Sequence, residues 1–181
     1  MITSPLNFLL KYSFVSACFL SLLLKGVSMG AVEYKLGDYS VQIANGYGWK
    51  VTELPEKFQG KGVKSFLQKD GGHKNIMFVE TDKTFDELER VGHVLKLSIE
   101  KGKRGAVFTT ERIIWLNRDA IKVEYYQKNN DDDIILGVAR LFFEGERAVS
   151  IICNSGIVNP VDDEETNTIL STFILSNKEN P

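Results

Sequence analysis

The sequence predicts an α+β domain, a three-layer α-β-α sandwich around a mainly antiparallel sheet. Three observations carry that prediction. Four strand-like runs follow one another between Arg104 and Ser155: AVFTTERIIWL, AIKVEYYQK, IILGVARLFFE and RAVSIICNS, joined by the short polar turns NRD, NNDDD and GE. Such a series reads as an antiparallel meander. The third and fourth runs are apolar on both sides, so they need cover on both faces. Two stretches with apolar residues at helical spacing, one after Thr84 and one after Asn159, are available as that cover.

The faces of the meander follow from the two-residue period of a strand. Ile121, Val123 and Tyr125 share one side of the second run, while Lys122, Glu124 and Lys128 share the other. One wet face puts this run toward an edge. In the third run Ile135, Ala139, Leu141 and Phe143 oppose Ile134, Leu136, Val138 and Phe142. In the fourth, Val149, Ile151 and Cys153 oppose Ala148 and Ile152.

Residues 1–30 differ from the rest. Lys11 precedes the apolar run Tyr12 to Leu24, small residues Ser28, Gly30 and Ala31 follow, and no acidic residue occurs. This pattern describes a secretory signal peptide cleaved after Gly30. An uncleaved N-terminal membrane anchor is the competing reading, since Leu6 to Leu24 approaches the ~20 residues of a membrane helix. Val15-Ser16-Ala17-Cys18 also has the form of a bacterial lipoprotein cleavage box, with Cys18 as the lipidated residue. Each reading places the single domain 31–181 outside the cytoplasm, periplasmic or extracellular. Removing the leader removes Lys11 and Lys25 and takes the formal charge from −2 to −4.

The mature chain opens with two strand-like runs, Val32 to Leu36 and Tyr39 to Ala44, across Gly37-Asp38, a tight hairpin signal. Asn45-Gly46-Tyr47-Gly48 breaks the pattern, and Trp49 starts an extended piece that runs to Leu54. Trp49 is read as packing over the core edge, with a ligand-groove wall as the alternative. Glu56 to Gly62 is a loop. Val63 to Lys69 and Asn75 to Glu80 form a second hairpin across Asp70-Gly71-Gly72. His73 in that turn is a solvated side chain, and lysines 57, 61, 64, 69 and 74 read as a solvated basic face.

Thr84 and Glu87 have the spacing of a helix capping box, followed by the stripe Leu88, Val91, Leu95 and Ile99. Gly102 ends that helix. His93 falls off the stripe and is exposed; Val94 and Leu97 also fall off it and meet a loop or mark a partner surface. Asn159-Pro160 starts the second helix. Asp162, Asp163, Glu164 and Glu165 fill its first turns and offset the helix dipole rather than converging on a metal. Ile169, Leu170, Phe173 and Ile174 supply its packing stripe. Asp131, Asp132 and Asp133 lack the spacing and glycine of a calcium loop.

The chain has 181 residues, 43% hydrophobic and 25% charged, which fits one globular domain. A sequence pI of about 5.8 leaves no nucleic-acid footprint. With two cysteines and two histidines, neither a disulfide framework nor a Cys/His zinc site is expected. No cofactor is expected either. The sequence contains no G-x-S-x-G, P-loop or G-x-G-x-x-G. Cys153 sits in an apolar strand, a poor setting for a nucleophile.

Two segments resemble a known family: the run Asp38 to Ile43 continuing to Gly48-Trp49-Lys50-Val51, and Ala148 to Cys153 followed by Thr168 to Phe173. Together they resemble the PsbP-like superfamily and its bacterial relatives of unknown function, across Ala31 to Leu175. The family places a proline before the Gly-Trp pair, where this chain has Tyr47. The resemblance implies an α-β-α sandwich and a non-enzymatic role. PsbP proteins of plants and cyanobacteria are lumenal extrinsic subunits of photosystem II; bacterial relatives are exported or lipid-anchored, and some bind other proteins. Neither histidine lies in a matching motif, so no family metal ligand carries over.

The expected function is therefore that of an exported, non-enzymatic binding or accessory protein of the cell envelope, monomeric, acting through contacts with a protein partner. It would touch the membrane only through a retained leader. Two alternatives stand beside it. One is a small-ligand carrier with a groove between Trp49, Tyr47 and the sheet edge. The other is a hydrolase whose carboxylates assemble in space, Glu111 or Glu124 with Asp119.

Overall fold

A computed structural model describes residues 30–36, 38–44, 48–101 and 104–175. The leader up to residue 29, with Cys18, lies outside the described residues, as do Gly37, Asn45, Gly46, Tyr47, Gly102 and Lys103. Among the described residues, ten strands and two helices follow in the order β1 (Ala31–Leu36), β2 (Tyr39–Ala44), β3 (Trp49–Val51), β4 (Val63–Lys69), β5 (Lys74–Asp82), α1 (Leu88–Glu100), β6 (Gly105–Trp115), β7 (Arg118–Lys128), β8 (Ile134–Glu144), β9 (Arg147–Ser155), α2 (Glu164–Ser171) and β10 (Ile174–Leu175). A 3-10 turn spans Glu56–Phe58. The chain is thus an α+β fold, mostly antiparallel sheet.

The expected meander forms as β6 to β9, and both expected hairpins form as β1–β2 and β4–β5. The large sheet has the order β3-β4-β5-β9-β8-β7-β6. β7 lies toward an edge, as expected, second in from the edge strand β6. A second, three-stranded sheet was not expected. In it β10 pairs with β2 through Ile174↔Ser40 and Leu175↔Tyr39, so the order is β1-β2-β10. The extended piece after Trp49 is shorter than expected, and β3 stops at Val51.

Alternate residues of β7, β8 and β9 enter two separate cores. Ile121, Val123, Tyr125, Ala139 and Leu141 pack with Leu88, Val91, Leu95 and Ile99 of α1. Ala120, Val138, Phe142, Val149, Ile151 and Cys153 pack with Ile169, Leu170 and Phe173, together with Leu36, Tyr39 and Val41 of the small sheet. The tight end of this second core is aromatic. The Tyr39 ring stacks on Phe173 at 4.8 Å between centroids, and Trp115 stacks on the other side of the same cluster at 5.5 Å. Burial pushes the Tyr39 hydroxyl up to about 12.

Two glycines permit the first core. A Cβ on Gly92 would stand 2.9 Å from Ile121 Cγ2, so glycine lets α1 approach the sheet. Gly137 lies directly opposite Tyr125, and a Cβ there would stand 2.3 Å from the ring. The ring takes the space of the missing side chain, and its hydroxyl donates to Asn154 Oδ1 at 2.7 Å.

Both helix starts differ from expectation. The Thr84–Glu87 capping box does not form. α1 begins at Leu88 with Glu87 as its N-cap residue and no side-chain cap bond. Lys83 instead donates its amide to Glu146 at 2.8 Å, which holds the segment extended beyond β5. α2 begins at Glu164 rather than Asn159-Pro160, with Asp163 as cap accepting from the Thr166 amide at 3.3 Å.

Candidate interaction surface

Cross-strand register sorts the side chains of the large sheet into rows. On the face that holds α2, one row runs Ile76, Cys153, Val138, Glu124 and Thr109, and the next runs Phe78, Ile151, Arg140, Lys122 and Glu111. The first three residues of the row through Ile76 lie in the buried core. The β7 and β6 ends of both rows extend past it. There Lys122 is bonded by Glu111 and Glu124, and these carboxylates raise its pKa against the opposing effect of burial.

The outermost row on that face is apolar at its far end. Leu136 lies opposite Tyr126, and the Phe108 ring sits 5.5 Å from the Tyr126 ring. Phe108 is 62% exposed. A register shift between Val107 and Thr109 makes Phe108 a bulge residue, and its ring lies over Tyr126 on this face. Ile134, on the same face of β8, is 55% exposed. Beside this patch β6 presents eleven residues as the last strand of the sheet, with Ile114 71% exposed. A long edge with flanking apolar side chains is a template for pairing. Sequence reasoning missed Phe108, because its exposure comes from a bulge that no local motif marks.

The other singled-out residues fall elsewhere. Glu111 and Glu124 share Lys122 on the α2 face, whereas Asp119 lies across from Ile114 on the α1 face and pairs with Arg112. The sheet separates them, so the carboxylate pairing expected of a hydrolase does not converge. Arg112 also bridges to Glu89 of α1 at 3.0 Å. It lines an open depression of about 520 Å³ with Asp86, Arg118 and Phe143. Cys153 is buried, and desolvation pushes its thiol up to about 12. His73 and His93 are exposed, as expected, and so are Val94 and Leu97.

Trp49 is 5% exposed and lies in the core, so its indole is not a groove wall; Tyr47, the other aromatic of the ligand-carrier reading, lies outside the described residues. Its Nε1 donates to Glu165 Oε1 at 3.1 Å. Glu165 also accepts from Lys69. Lys74, 8% exposed, donates to Asp163 at 2.8 and 2.9 Å and to Glu165 at 3.0 Å. Two of the four acidic residues therefore converge after all, but on lysines of the β4–β5 hairpin. Lys69 and Lys74 are correspondingly no part of a solvated basic face. Burial acts to lower the Lys74 pKa, and the bonds from Asp163 and Glu165 outweigh it and raise it. Burial likewise acts to raise both carboxylates, and the bonds from Lys74, Lys69, Thr166 and Trp49 leave them below their usual range.

Asp131, Asp132 and Asp133 are organised by Asn129, whose Oδ1 accepts from the Asp131 and Asp133 amides at 2.9 Å. Asp132 faces Arg104 at 3.5 Å and Lys128 at 3.9 Å. Among the described residues no group of His, Cys, Asp and Glu is arranged to hold a metal. Among them, too, no helix is long and apolar enough to cross a membrane.

No protein-family model matches the sequence, and no curated protein matches it. Solved structures do match. The solution structure of cyanobacterial PsbP from Synechocystis sp. PCC 6803 superposes with a TM-score of 0.60 at 12% identity, over 83% of this chain and 95% of that one. A crystal structure from Bacteroides thetaiotaomicron VPI-5482 superposes with a TM-score of 0.51 at 10% identity, over 84% of this chain and 50% of that one. This chain therefore spans half the length of the Bacteroides protein. At these identities the likeness is one of backbone architecture, and by that measure the chain has a PsbP-like fold.

Proposed function

We propose that this domain is an exported, non-enzymatic accessory protein of the cell envelope that binds a protein partner through the bare β6–β7 end of its sheet. The observation that carries this reading is the long edge strand β6, flanked on the α2 face by the exposed Phe108 ring and Ile134 and on the α1 face by Ile114. Exposed apolar side chains beside an unpaired edge are what a docking partner covers. The domain is read as an α-β-α sandwich, with α1 on one face and α2 with the small sheet on the other. The two separate cores support that reading. In it the smaller cover reaches Ala120 and Trp115 but leaves the Phe108–Glu111 part of β6 open. The leader pattern of residues 1–30 supports export, and the PsbP-like backbone fits an accessory role.

The test is site-specific photo-crosslinking in the protein's own host. A photoreactive residue in place of Phe108 should give one discrete heavier adduct. The same residue in place of Glu146, exposed in the β8–β9 turn, should give none. Equal labelling at both sites, or no adduct at Phe108, overturns the reading.

A further inference from the structure

We propose that two copies of this chain pair through the free edge of β1, antiparallel about a two-fold axis at Tyr34, so that their small sheets join into one. This goes beyond the β6 docking surface and does not use it, since β1 belongs to the other sheet. It replaces the monomer expected from the sequence, and three observations define it.

The first is the edge. Among the described residues β1 pairs with β2 alone, from Ala31↔Ala44 to Leu36↔Tyr39. Only two residues connect these strands, so Leu36 and Tyr39 form a hydrogen-bonded pair, and bonding alternates back along β1. Leu36, Tyr34 and Val32 therefore bond to β2. Glu33 and Lys35 turn their N–H and C=O groups the other way, toward the open side.

The second is charge. Glu33 and Lys35 are both exposed, and neither makes an ion pair among the described residues. Their neighbours across the ladder on β2 are Gln42 and Ser40, which are neutral. The edge thus carries one free acid and one free base on the same face of the strand. In a two-fold antiparallel pair centred on Tyr34, Glu33 lies opposite the partner's Lys35, and Lys35 opposite the partner's Glu33. Unlike charges directly opposite in a ladder attract. These residues also have outward backbone groups, so each charge pair exchanges both of its backbone hydrogen bonds.

The third is register. A centre on Glu33 sets the two glutamates opposite each other, and a centre on Lys35 sets the two lysines opposite each other. A centre between residues would oppose inner-face to outer-face side chains, which the pleat forbids. Of these, only Tyr34 pairs unlike charges. That centre also sets Val32, 40% exposed, opposite the partner's Leu36 on the face that holds the core. The contact is short. A six-residue edge buries well under the ~800 Å² per partner of a standard interface, so the dimer dissociates on dilution.

The experiment is sedimentation equilibrium on protein purified from its host, over about a hundredfold range of concentration. Wild type should pass from monomer to dimer across that range. Glu33→Lys sets lysines opposite each other and Lys35→Glu sets glutamates opposite each other; each should weaken the dimer about tenfold. The double variant Glu33→Lys/Lys35→Glu restores both pairs in reverse and should regain wild-type affinity. Mixing the two single variants should give a heterodimer tighter than either alone. The leader is the same in every variant, so association through it would not follow this pattern. Both charges are exposed and unpaired, so the variants should match wild type in urea unfolding. Amide exchange should slow with concentration at Glu33 and Lys35 and stay constant at Tyr34. A monomer at every concentration, single variants that associate like wild type, or a double variant as weak as the singles overturns the pairing. The Phe108 crosslink reports separately on β6.

Discussion

Replacing Lys74 by methionine should destabilise the domain by about 3 kcal/mol at neutral pH, the low end of the ~3–5 kcal/mol for breaking a buried ion pair. Methionine keeps the length and apolar stem of lysine but leaves Asp163 and Glu165 without their shared cation. Those side chains are 12% and 17% exposed, so water compensates little. The cost is not larger because Glu165 keeps Lys69 and the Trp49 indole, and Asp163 keeps the Thr166 amide. The pH dependence has a definite sign. Both carboxylates are depressed from ordinary values of 4.5 and 3.8, so their contribution is present above those values and is lost as pH falls through the folded ones. The raised Lys74 contributes fully below 10.5 and is lost only as pH climbs through its higher folded value. The gap between wild type and Lys74→Met should therefore be flat from about pH 5 to 10 and shrink below about pH 4. Urea unfolding followed by tryptophan fluorescence measures it. A cost under about 1 kcal/mol at pH 7, or a gap that does not shrink in acid, refutes the reasoning.

Three further outcomes are expected. Gly137→Ala drives a methyl into the Tyr125 ring and should cost about 1–3 kcal/mol in the same assay, with Tyr125→Leu relieving part of it in the double variant. Thr84→Ala should change stability by less than about 0.5 kcal/mol, because that hydroxyl caps nothing, whereas Asp163→Ala should cost more than the ~1 kcal/mol of a cap alone. In protein carrying Cys18→Ser, Cys153 should react with a disulfide reagent at least about a hundredfold more slowly in buffer than in denaturant, since a core strand must open first.

The parts of the fold that depend on strand periodicity were legible. The doubly apolar β8 and β9 announced two covers, and the Leu88–Val91–Leu95–Ile99 stripe identified one of them. Features that depend on distant contacts were not. Thr84 and Glu87 match a capping pattern, but the Lys83 amide is engaged by Glu146 from the β8–β9 turn, and that tertiary bond keeps the segment extended. Asp163 and Glu165 look like ordinary dipole compensation until β4 and β5 bring Lys69 and Lys74 beneath them. Trp49 was correctly read as packing, yet its bond to Glu165 spans 116 residues of chain and leaves no local trace. The proposed docking surface was not legible: the sequence marked only Val94 and Leu97 as a candidate partner face, and the Phe108 bulge and the edge position of β6 follow only from the full sheet order.

The pairing of β10 with β2 has a consequence for how the chain acquires its shape. Gln42 and Thr172 exchange backbone-to-hydroxyl bonds across a separation of 130 residues, and Phe173 seals the aromatic cluster beside them. The small sheet cannot close until the chain has been made through Leu175, and contacts of such long range make folding slow. A nascent chain of this design keeps its small sheet open until β10 is made. That interval is also when the β6 edge is most exposed to the wrong neighbours.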